Sequence, residues 1–394
     1  MLKIPIIYNL RNLWVRKVST LLTVAGIGLA AGVLLVVLML VSGLRHAFAE
    51  NGSRENVIVL RKNSPSETMS GMGRDTVAVI KALPEVAIDG DGKPLAAAEA
   101  VVGVNLLRRG QVNARSGSNV TVRGIVPESL LLRKKVKIIE GRAPTPGKPE
   151  IMAGRNTAEG FQGCEVGGAI QMGGLSWSIV GMFEANGAAF ESELWGDNDL
   201  LMAAFGRQGG YSSVTFASKD PDADLKPMQE RLDADPRLNV ALQRERAYYE
   251  NSSFYLRLLI SILGSVLIVL FSFGAVMGAM VTMFAFVGSR TKEIGTLRAL
   301  GFPRRSILLC FLLEAVLLGL IGGALACIPA LFVQQLTFST TNFSSFTDVT
   351  WHFRATPVIL LYGLLFAVVM GALGGLIPAV RAARLPIITA LREA

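Results

Sequence analysis

The sequence predicts an α-helical membrane protein with four transmembrane helices and a mixed α/β extracytoplasmic domain inserted between the first and second helices. Three observations support this fold class. The 394 residues are 51% hydrophobic and their mean hydropathy is +0.46, which is too high for an ordinary soluble protein. Four long segments are almost free of charge. Residues 45–257 contain no comparable segment and therefore form a water-facing domain.

The four apolar segments set the limits of the spans. A helix needs about 20 apolar residues to cross the hydrocarbon core of a bilayer. Each segment exceeds that length, and only the third contains a charged residue, Glu314. We therefore predict transmembrane helices at 18–44, 258–287, 306–334 and 356–380.

The distribution of charge predicts the orientation. Residues 45–257 hold 26 basic and 26 acidic residues, whereas 13 basic and 4 acidic residues outside them account for the net charge of +9. Apart from Arg354, those basic residues precede span one, separate spans two and three, or follow span four. Because four spans place these segments on one side, the positive-inside rule assigns them to the cytoplasm. We predict a multi-pass inner-membrane protein with cytoplasmic termini and a periplasmic domain, and no nucleic-acid binding.

Three shorter segments complete the membrane part. Residues 1–17 have an apolar stripe at helical spacing, which predicts a cytoplasmic amphipathic helix at the interface; an unstructured basic flank is the alternative. Residues 335–355 form a periplasmic loop, aromatic and nearly uncharged, which we expect to cap the bundle or else to touch a lipid-like substrate. Residues 381–394 form a cytoplasmic tail.

The domain at 45–257 combines strand and helix patterns. Runs rich in β-branched residues predict strands at 56–60, 100–107, 119–126 and 211–217, and helical spacing predicts helices at 74–83 and 222–234. An alternating segment around Gly173-Gly174 predicts a β-hairpin. Both ends of the domain permit helices, which would form a stalk; flexible linkers are the alternative. We expect the aromatic residues near its second end to be membrane-interface anchors, namely Tyr248, Tyr249, Phe254 and Tyr255.

The segment 288–305, GSRTKEIGTLRALGFPRR, is a short basic loop between two very apolar spans. It combines Glu293 and Arg298 with an apolar row at helical spacing, which consists of Ile294, Leu297 and Leu300. We expect it to be a rigid cytoplasmic handle through which another protein drives the membrane helices.

Several motifs resemble those of the MacB/FtsX-type ABC permeases, a family that includes the lipoprotein-releasing LolC and LolE. The strongest is in the loop, where the matching residues are Glu293, Ile294, Gly295, Leu297, Arg298, Ala299 and Gly301. In the family this motif belongs to the coupling segment that contacts the ATPase. Residues 378–392 resemble the family's usual ending, and VRGIVPE and GGAIQMGGLSWSIVGMFE resemble the MacB-type periplasmic core domain. In that family the domain has two lobes, so we expect an insertion near residues 125–205.

The resemblance implies a permease subunit of the mechanotransmission type. ATP and Mg²⁺ would be used by a separate ABC-type ATPase, and motion of the periplasmic domain would export or extract a lipid, lipoprotein, peptide or small molecule. A second permease copy, forming a homodimer, and membrane lipids are expected partners, and a periplasmic adaptor and an outer-membrane channel are further ones. The alternative is an FtsX-like regulator that activates a periplasmic partner without transport.

The sequence predicts no catalytic, cofactor-binding or metal site in the chain itself. Gly92-Lys93 and Gly147-Lys148 are each followed by proline, so neither belongs to a phosphate-binding loop. The two histidines and three cysteines are too scattered to predict a zinc site.

Inside the spans, one charge and four glycine pairs are notable. Glu314 is an intramembrane carboxylate, and we expect either a direct part in transport or a structural ion pair with Arg304 or Arg305 or a bond to a backbone group. Each span also contains a Gly-xxx-Gly pair, which lets helices approach closely. We expect tight packing in the bundle and a dimer seam. The pairs are Gly28/Gly32, Gly274/Gly278, Gly319/Gly323 and Gly371/Gly375.

Overall fold

The computed structural model describes residues 17–111, 117–342 and 346–386. Its α-helices are α1 (Lys17–Asn51), α2 (Arg74–Lys81), α3 (Pro127–Leu132), α4 (Arg155–Gly160), α5 (Asn198–Ala204), α6 (Lys226–Asp233), α7 (Glu245–Ser252), α8 (Phe254–Ser289), α9 (Thr291–Ala299), α10 (Arg304–Val333) and α11 (Pro357–Arg384). Its strands are β1 (Asn56–Arg61), β2 (Ala96–Glu99), β3 (Val101–Leu106), β4 (Ser118–Ile125), β5 (Lys137–Gly141), β6 (Glu150–Gly154), β7 (Ala169–Met172), β8 (Leu175–Glu184), β9 (Glu193–Asp197), β10 (Ser213–Ala217), β11 (Val240–Arg244), β12 (Thr337–Asn342) and β13 (Thr347–His352). The predicted helix at 1–17 and the end of the predicted tail lie outside the described residues.

The chain forms two compact units. The membrane unit consists of Met1–Ser42, Leu258–Leu336 and Phe353–Ala394, and the outer unit consists of Gly43–Arg257 and Thr337–His352. Four helices are long and apolar enough to cross a membrane, and they are α1, α8, α10 and α11. The predicted fold class, four spans with a mixed α/β domain between the first two, is confirmed.

In the membrane unit, α10 and α11 form the tightest contact. A methyl group placed on Gly319 would lie 2.5 Å from the carbonyl oxygen of Ala367, and one on Gly371 would lie 2.5 Å from that of Ala315. Real Cβ atoms do not approach so closely, so the seam requires glycine. Helix α11 begins with a favourable N-cap residue. The Thr356 hydroxyl accepts a hydrogen bond from the Ile359 amide at 3.3 Å.

The outer unit contains two larger sheets. The first has the strand order β11-β1-β10-β2 and is antiparallel throughout. Helices α2 and α6 contribute Val77, Ile80, Met228 and Leu232 to its core. The second has the order β3-β4-β9-β6-β8-β5, and β7 also pairs with β8. Its core is centred on Trp177, which is fully buried.

The second sheet is inserted into the first. The chain completes β2 at Glu99, forms the second sheet from β3 to β9, and returns to the first sheet at β10. The insertion therefore begins at Val101 and not near residue 125 as we expected. The predicted hairpin is confirmed, because β7 pairs with β8 across Gly173 and Gly174, both of which have positive φ.

The segment between the third and fourth spans also belongs to the outer unit. Strands β12 and β13 pair antiparallel, from Thr337 opposite His352 to Asn342 opposite Thr347. Thr121 on β4 donates to Thr347 at 2.9 Å, and Arg108 forms an ion pair with Asp348 at 2.8 Å. This segment was predicted only as a loop. Its contacts within the outer unit include strand β4 of the second sheet.

Candidate functional site

The predicted coupling segment folds into a short helix with sharply defined ends. Helix α8 ends at Ser289, Arg290 occupies the N-cap, and α9 runs from Thr291 to Ala299. At its far end Gly301 adopts φ +93°, which side-chain-bearing residues rarely adopt. The amide of Phe302 donates to the carbonyl of Leu297 at 3.1 Å, so the turn satisfies a free carbonyl of the helix end. Helix α10 then starts directly after Pro303.

Helix α9 has one buried face and one exposed face. Ile294 is buried and belongs to the same apolar cluster as Ile307 and Phe311 of α10. Gly295 is also buried, Leu297 and Arg298 are half-buried, and Glu293 and Ala299 are exposed. Apart from Gly301, which lies in the following turn, the predicted coupling residues therefore lie on one short helix with two faces. Ile294 and Gly295 pack against the membrane unit, whereas the exposed residues Glu293 and Ala299 are accessible to another molecule.

Arg290 connects this helix to the third span. Its Nε lies 3.0 Å from Oε2 of Glu293 on α9, and its Nη1 lies 3.1 Å from Oε2 of Glu314 on α10. The guanidinium also stacks over the Phe311 ring, with 5.2 Å from Cζ to the ring centre. Planar arginine suits this arrangement because it can donate in two directions while it stacks on an aromatic face.

The two ion pairs of Arg290 differ in environment. The Glu293 side chain is 55% exposed, and such a pair contributes about 0–1 kcal/mol. The Glu314 side chain is 3% exposed, and removal of one partner from a buried pair typically costs about 3–5 kcal/mol. Glu314 is therefore the dominant partner. Among the described residues no ion pair joins Glu314 to Arg304 or Arg305, the partners that we had expected.

Arg298 is placed differently from Arg290. It is half-buried, and its Nε is enclosed without a hydrogen-bond partner in the part of the chain that the structure describes. No ion pair to Arg298 occurs among those residues. Arg298 therefore has no carboxylate partner among the described residues, whereas Arg290 forms ion pairs with two carboxylates.

In the outer unit, the chain segments adjoining the first two spans touch each other. Helix α1 continues to Asn51, and a methyl group on Gly52 would lie 2.4 Å from the Arg246 amide nitrogen. The Ser53 amide donates to Oε2 of Glu245 at 3.0 Å. Helices α7 and α8 are separated at Ser253, so the helix entering span two is interrupted there.

A fully buried ionic cluster lies next to α7 in the outer unit. Arg123 on β4 directs all five of its N–H groups to carboxylates, at 2.8–3.0 Å. These carboxylates belong to Glu67, Glu99 and Glu193. Glu67 precedes α2 and Glu99 ends β2, whereas Arg123 and Glu193 belong to the second sheet. The cluster therefore joins the two sheets of the outer unit.

Two tyrosines attach α7 to this cluster. The Tyr249 hydroxyl donates to Oε2 of Glu67 at 3.1 Å, and the Glu67 amide donates to the Tyr248 hydroxyl at 3.1 Å. Both rings are buried, at 5% and 9% exposure. Our expectation that they anchor the chain at the membrane interface is wrong, since their hydroxyl groups are bonded inside the outer unit. Phe254 and Tyr255 remain exposed, and their role as anchors stays a prediction.

The charges in the cluster are set by competition between burial and pairing. Burial alone would raise the pKa of Glu99, but the guanidinium groups of Arg133 and Arg123 outweigh it and lower the pKa to about 2. Glu67 behaves likewise, because Arg123 lowers its pKa against the effect of burial. Glu245 differs, since burial dominates and raises its pKa. Its Oε1 has no hydrogen-bond partner among the described residues.

Comparison with known families agrees with both units. A family model for the MacB-like periplasmic core domain matches residues 20–235, more than half of the chain. The chain belongs to the MacB/FtsX-type permease family. A second model, the FtsX-like permease C-terminal domain, matches residues 265–387 and so includes α9 and the third and fourth spans. As a MacB/FtsX-type permease, the chain is a membrane protein with an extracytoplasmic domain.

Individual relatives of this MacB/FtsX-type permease are distant. The macrolide export ATP-binding/permease protein MacB of Brucella abortus is 26% identical over 93% of the chain and 56% of the relative. That of Nitrosomonas europaea is 25% identical over 97% of the chain and 58% of the relative. The chain thus spans less than two thirds of these relatives. The crystal structure of the periplasmic region of MacB from Actinobacillus actinomycetemcomitans matches with a TM-score of 0.35 at 8% identity, over 50% of the chain and 92% of that structure.

In this MacB/FtsX-type permease, the structure groups the predicted coupling residues on α9 and its C-terminal turn. Glu314 joins them through Arg290, which sequence analysis did not single out. One indication was available, because Arg290 directly follows the end of an apolar span and precedes the EIG motif. The Arg123 cluster was also missed. Its members are far apart in sequence, and no local pattern indicates which surface-type residues become buried.

Proposed function

We propose that this chain is the permease subunit of an ABC transporter of the mechanotransmission type. A separate cytoplasmic ATPase, which uses ATP and Mg²⁺, docks on α9 and moves it during hydrolysis. The movement reaches the periplasmic domain and drives export or extraction of a substrate. The chain itself contributes no catalytic group, and it lies in the inner membrane with cytoplasmic termini.

One observation carries this proposal. Helix α9 is fixed to the membrane unit through Ile294 and Gly295, and its other face is exposed. A helix held in this way can receive a force from outside and pass it to the spans as a rigid body. The half-buried Arg298, with no ion pair among the described residues, supplies a positive charge for an acidic site on the ATPase.

The connections to the outer unit support transmission. The helix of the first span continues seven residues beyond Leu44, the last residue of the predicted span, to Asn51. The Ser53–Glu245 hydrogen bond and the close contact of Gly52 with Arg246 link the segments that adjoin spans one and two. Tyr249 then links α7 to the cluster that joins both sheets. These contacts would transmit a movement of the first two spans to the periplasmic domain.

A second copy of the chain is the expected partner in the membrane. A methyl group on Gly274 or Gly278 of α8 would meet no other atom within 4 Å in the part of the chain that the structure describes. These glycines thus offer an open small-residue face of the kind that packs against another helix. We propose a homodimer of the permease that binds two ATPase subunits. A periplasmic adaptor, an outer-membrane channel and a lipid, lipoprotein, peptide or small-molecule substrate are proposed from the family alone.

The test is whether α9 holds the ATPase. The tagged chain is purified from its native membranes, and an ABC-type ATPase subunit with ATP hydrolysis is expected in the wild-type preparation. Arg298→Glu should leave the permease monodisperse in the membrane but reduce ATPase recovery at least tenfold. Arg237→Glu makes the same charge change at an exposed position of the outer unit and should recover the wild-type amount. Normal recovery and hydrolysis with Arg298→Glu would refute the proposal.

A further inference from the structure

The corner between the second span and the coupling helix holds an unusual arginine. Arg290 directly follows Ser289, the last residue of α8, and is the N-cap residue of α9. Its carbonyl accepts the first hydrogen bond of α9, from the Ile294 amide at 3.0 Å. Although it adjoins an exposed helix, its side chain is only 9% exposed. The side chain thus points into the membrane unit and not toward the cytoplasm.

We infer that Arg290 is the positioning residue that couples α9 to the third span. Its Nη1 reaches Glu314 at 3.1 Å, and its Nε holds Glu293 on α9 itself at 3.0 Å. Because Arg290 is itself the N-cap residue of α9, its buried bond to Glu314 joins the two helices, and the exposed bond to Glu293 is not needed for the attachment. A displacement of α9 that carries Arg290 with it must either carry Glu314 or separate a buried pair of opposite charges.

The position of Glu314 determines which part of α10 a displacement of α9 would move. It lies ten residues into α10, about 15 Å from the start of that helix at 1.5 Å per residue. The next residue, Ala315, lies in the seam with α11, where added methyl groups on Gly371 and Gly375 would lie 2.5 Å and 2.2 Å from its atoms. Because the bridge meets α10 beside its tightest contact with α11, the third and fourth spans should respond to α9 as a pair.

The use of arginine is specific. Phe311 offers its ring to the guanidinium at 5.2 Å, one helical turn before Glu314 on α10. Lysine has no planar group to stack on this ring and to donate in two fixed directions. We therefore expect that Arg290→Lys keeps a charge in place but positions α9 poorly. This role in the coupling cycle rests on the proposed function, whereas the mechanical attachment of α9 to α10 does not.

The attachment is tested on the purified chain in lipid nanodiscs without any ATPase. Spin labels replace Thr296 on α9 and Leu309 on α10, both exposed, after the three native cysteines are changed to alanine. Pulsed electron paramagnetic resonance then gives the distribution of distances between the labels. We expect one narrow distribution for the wild type and at least a twofold wider one for Glu314→Gln and Arg290→Met. Arg290→Lys should be intermediate.

Glu293→Gln is the matched control, since it removes the exposed partner of the same arginine. It should keep the narrow distribution, because the exposed pair is screened by water. Glu314→Gln preserves shape, and Arg290→Lys preserves charge, so one of the two remains informative if the other misfolds. A narrow distribution in Glu314→Gln and Arg290→Lys alike would overturn the inference.

The functional consequence is measured separately. If an ATPase co-purifies with the wild type, Glu314→Gln should retain it in the wild-type ratio. ATP should leave the distance between the labels at Thr296 and Leu309 unchanged in the wild type, because α9 and α10 move together, and should shift it in Glu314→Gln. A label distance in this variant that ATP leaves as constant as in the wild type would overturn the role of Arg290. Absence of an ATPase from the wild-type preparation would instead count against the proposed function and leave the nanodisc result valid.

Discussion

Tyr249 donates its phenolic hydrogen to Oε2 of Glu67 at 3.1 Å, and this bond fastens α7 to the buried cluster of the outer unit. The same carboxylate receives two bonds from Arg123, at 2.8 and 3.0 Å. The segment before the second span and both sheets of the outer unit therefore share one charged group.

Loss of this hydroxyl should weaken the outer unit measurably. Hydrogen bonds to charged groups contribute about 1.5–3 kcal/mol, so Tyr249→Phe should lower the free energy of unfolding by about 2 kcal/mol. Denaturant titration of the full chain, followed through the fluorescence of buried Trp177 and Trp195, measures the change. Tyr255→Phe is the control, since Tyr255 is 74% exposed. Equal effects of the two substitutions would show that the bond to Glu67 is unimportant.

Removal of Arg123 from the buried cluster should destabilise the outer unit more than loss of the Tyr249 hydroxyl. Arg123→Met leaves three carboxylates buried without their cation, and breaking a buried ion pair costs about 3–5 kcal/mol. Arg237→Met, in contrast, breaks an exposed pair with Asp235, and such pairs contribute little to stability. The midpoint of thermal unfolding of each full-length variant compares them. Similar midpoints for both variants would contradict the buried network.

Glu245 should make stability depend on pH. Because burial raises its pKa in the folded chain, the unfolded state releases this proton first as pH rises above about 4.5. The free energy of unfolding contributed by this group therefore decreases with rising pH, by at most about 1.4 kcal/mol per pH unit, until the folded pKa is passed.

Glu245→Gln should remove this decrease. The slope of unfolding free energy against pH is compared for the two proteins from pH 4.5 upward to pH 8. Glu67 and Glu99 stay ionised in that range in both, because their pKa values are lowered. Their stabilising contributions are lost only under more acidic conditions. Parallel slopes for wild type and variant would exclude Glu245 as the titrating group.

The glycine seam can be tested by adding a single methyl group. Gly371→Ala places it 2.5 Å from the Ala315 carbonyl oxygen, and such overpacking typically costs about 1–3 kcal/mol. Gly288→Ala adds the same group where no atom of the described residues lies within 4 Å. We expect lower thermal stability in detergent only for Gly371→Ala. A stable Gly371→Ala variant would show that α10 and α11 separate easily.

Sequence patterns predicted the spans because an uncharged apolar run long enough to cross a bilayer is rare in water-soluble domains. They also predicted the β7–β8 hairpin, since Gly173 and Gly174 permit positive φ. The coupling helix followed from the apolar row at Ile294 and Leu297. In each case the information is local, within one helix or one turn.

Contacts between distant segments could not be predicted in this way. Arg290 and Glu314 are 24 residues apart, and Arg123 meets carboxylates 24–70 residues away. Charge is ordinarily a sign of exposure, so these side chains gave no indication of burial. The prediction for Tyr248 and Tyr249 was wrong for a similar reason. Aromatic residues near a span are typical of the membrane interface, and the sequence does not show that tertiary structure buries these two.

The strand pair between the third and fourth spans must be considered when the outer unit is produced as a separate protein. An excised fragment covering only residues 43–257 would lack the sixteen residues that supply Asp348 to Arg108 and Thr347 to Thr121. Strand β4 of the fragment would keep β3 and β9 as partners but lose the hydrogen bond of Thr121 to Thr347. A soluble protein that preserves the native contacts must also contain Thr337–His352, for example joined by a short linker after Arg257.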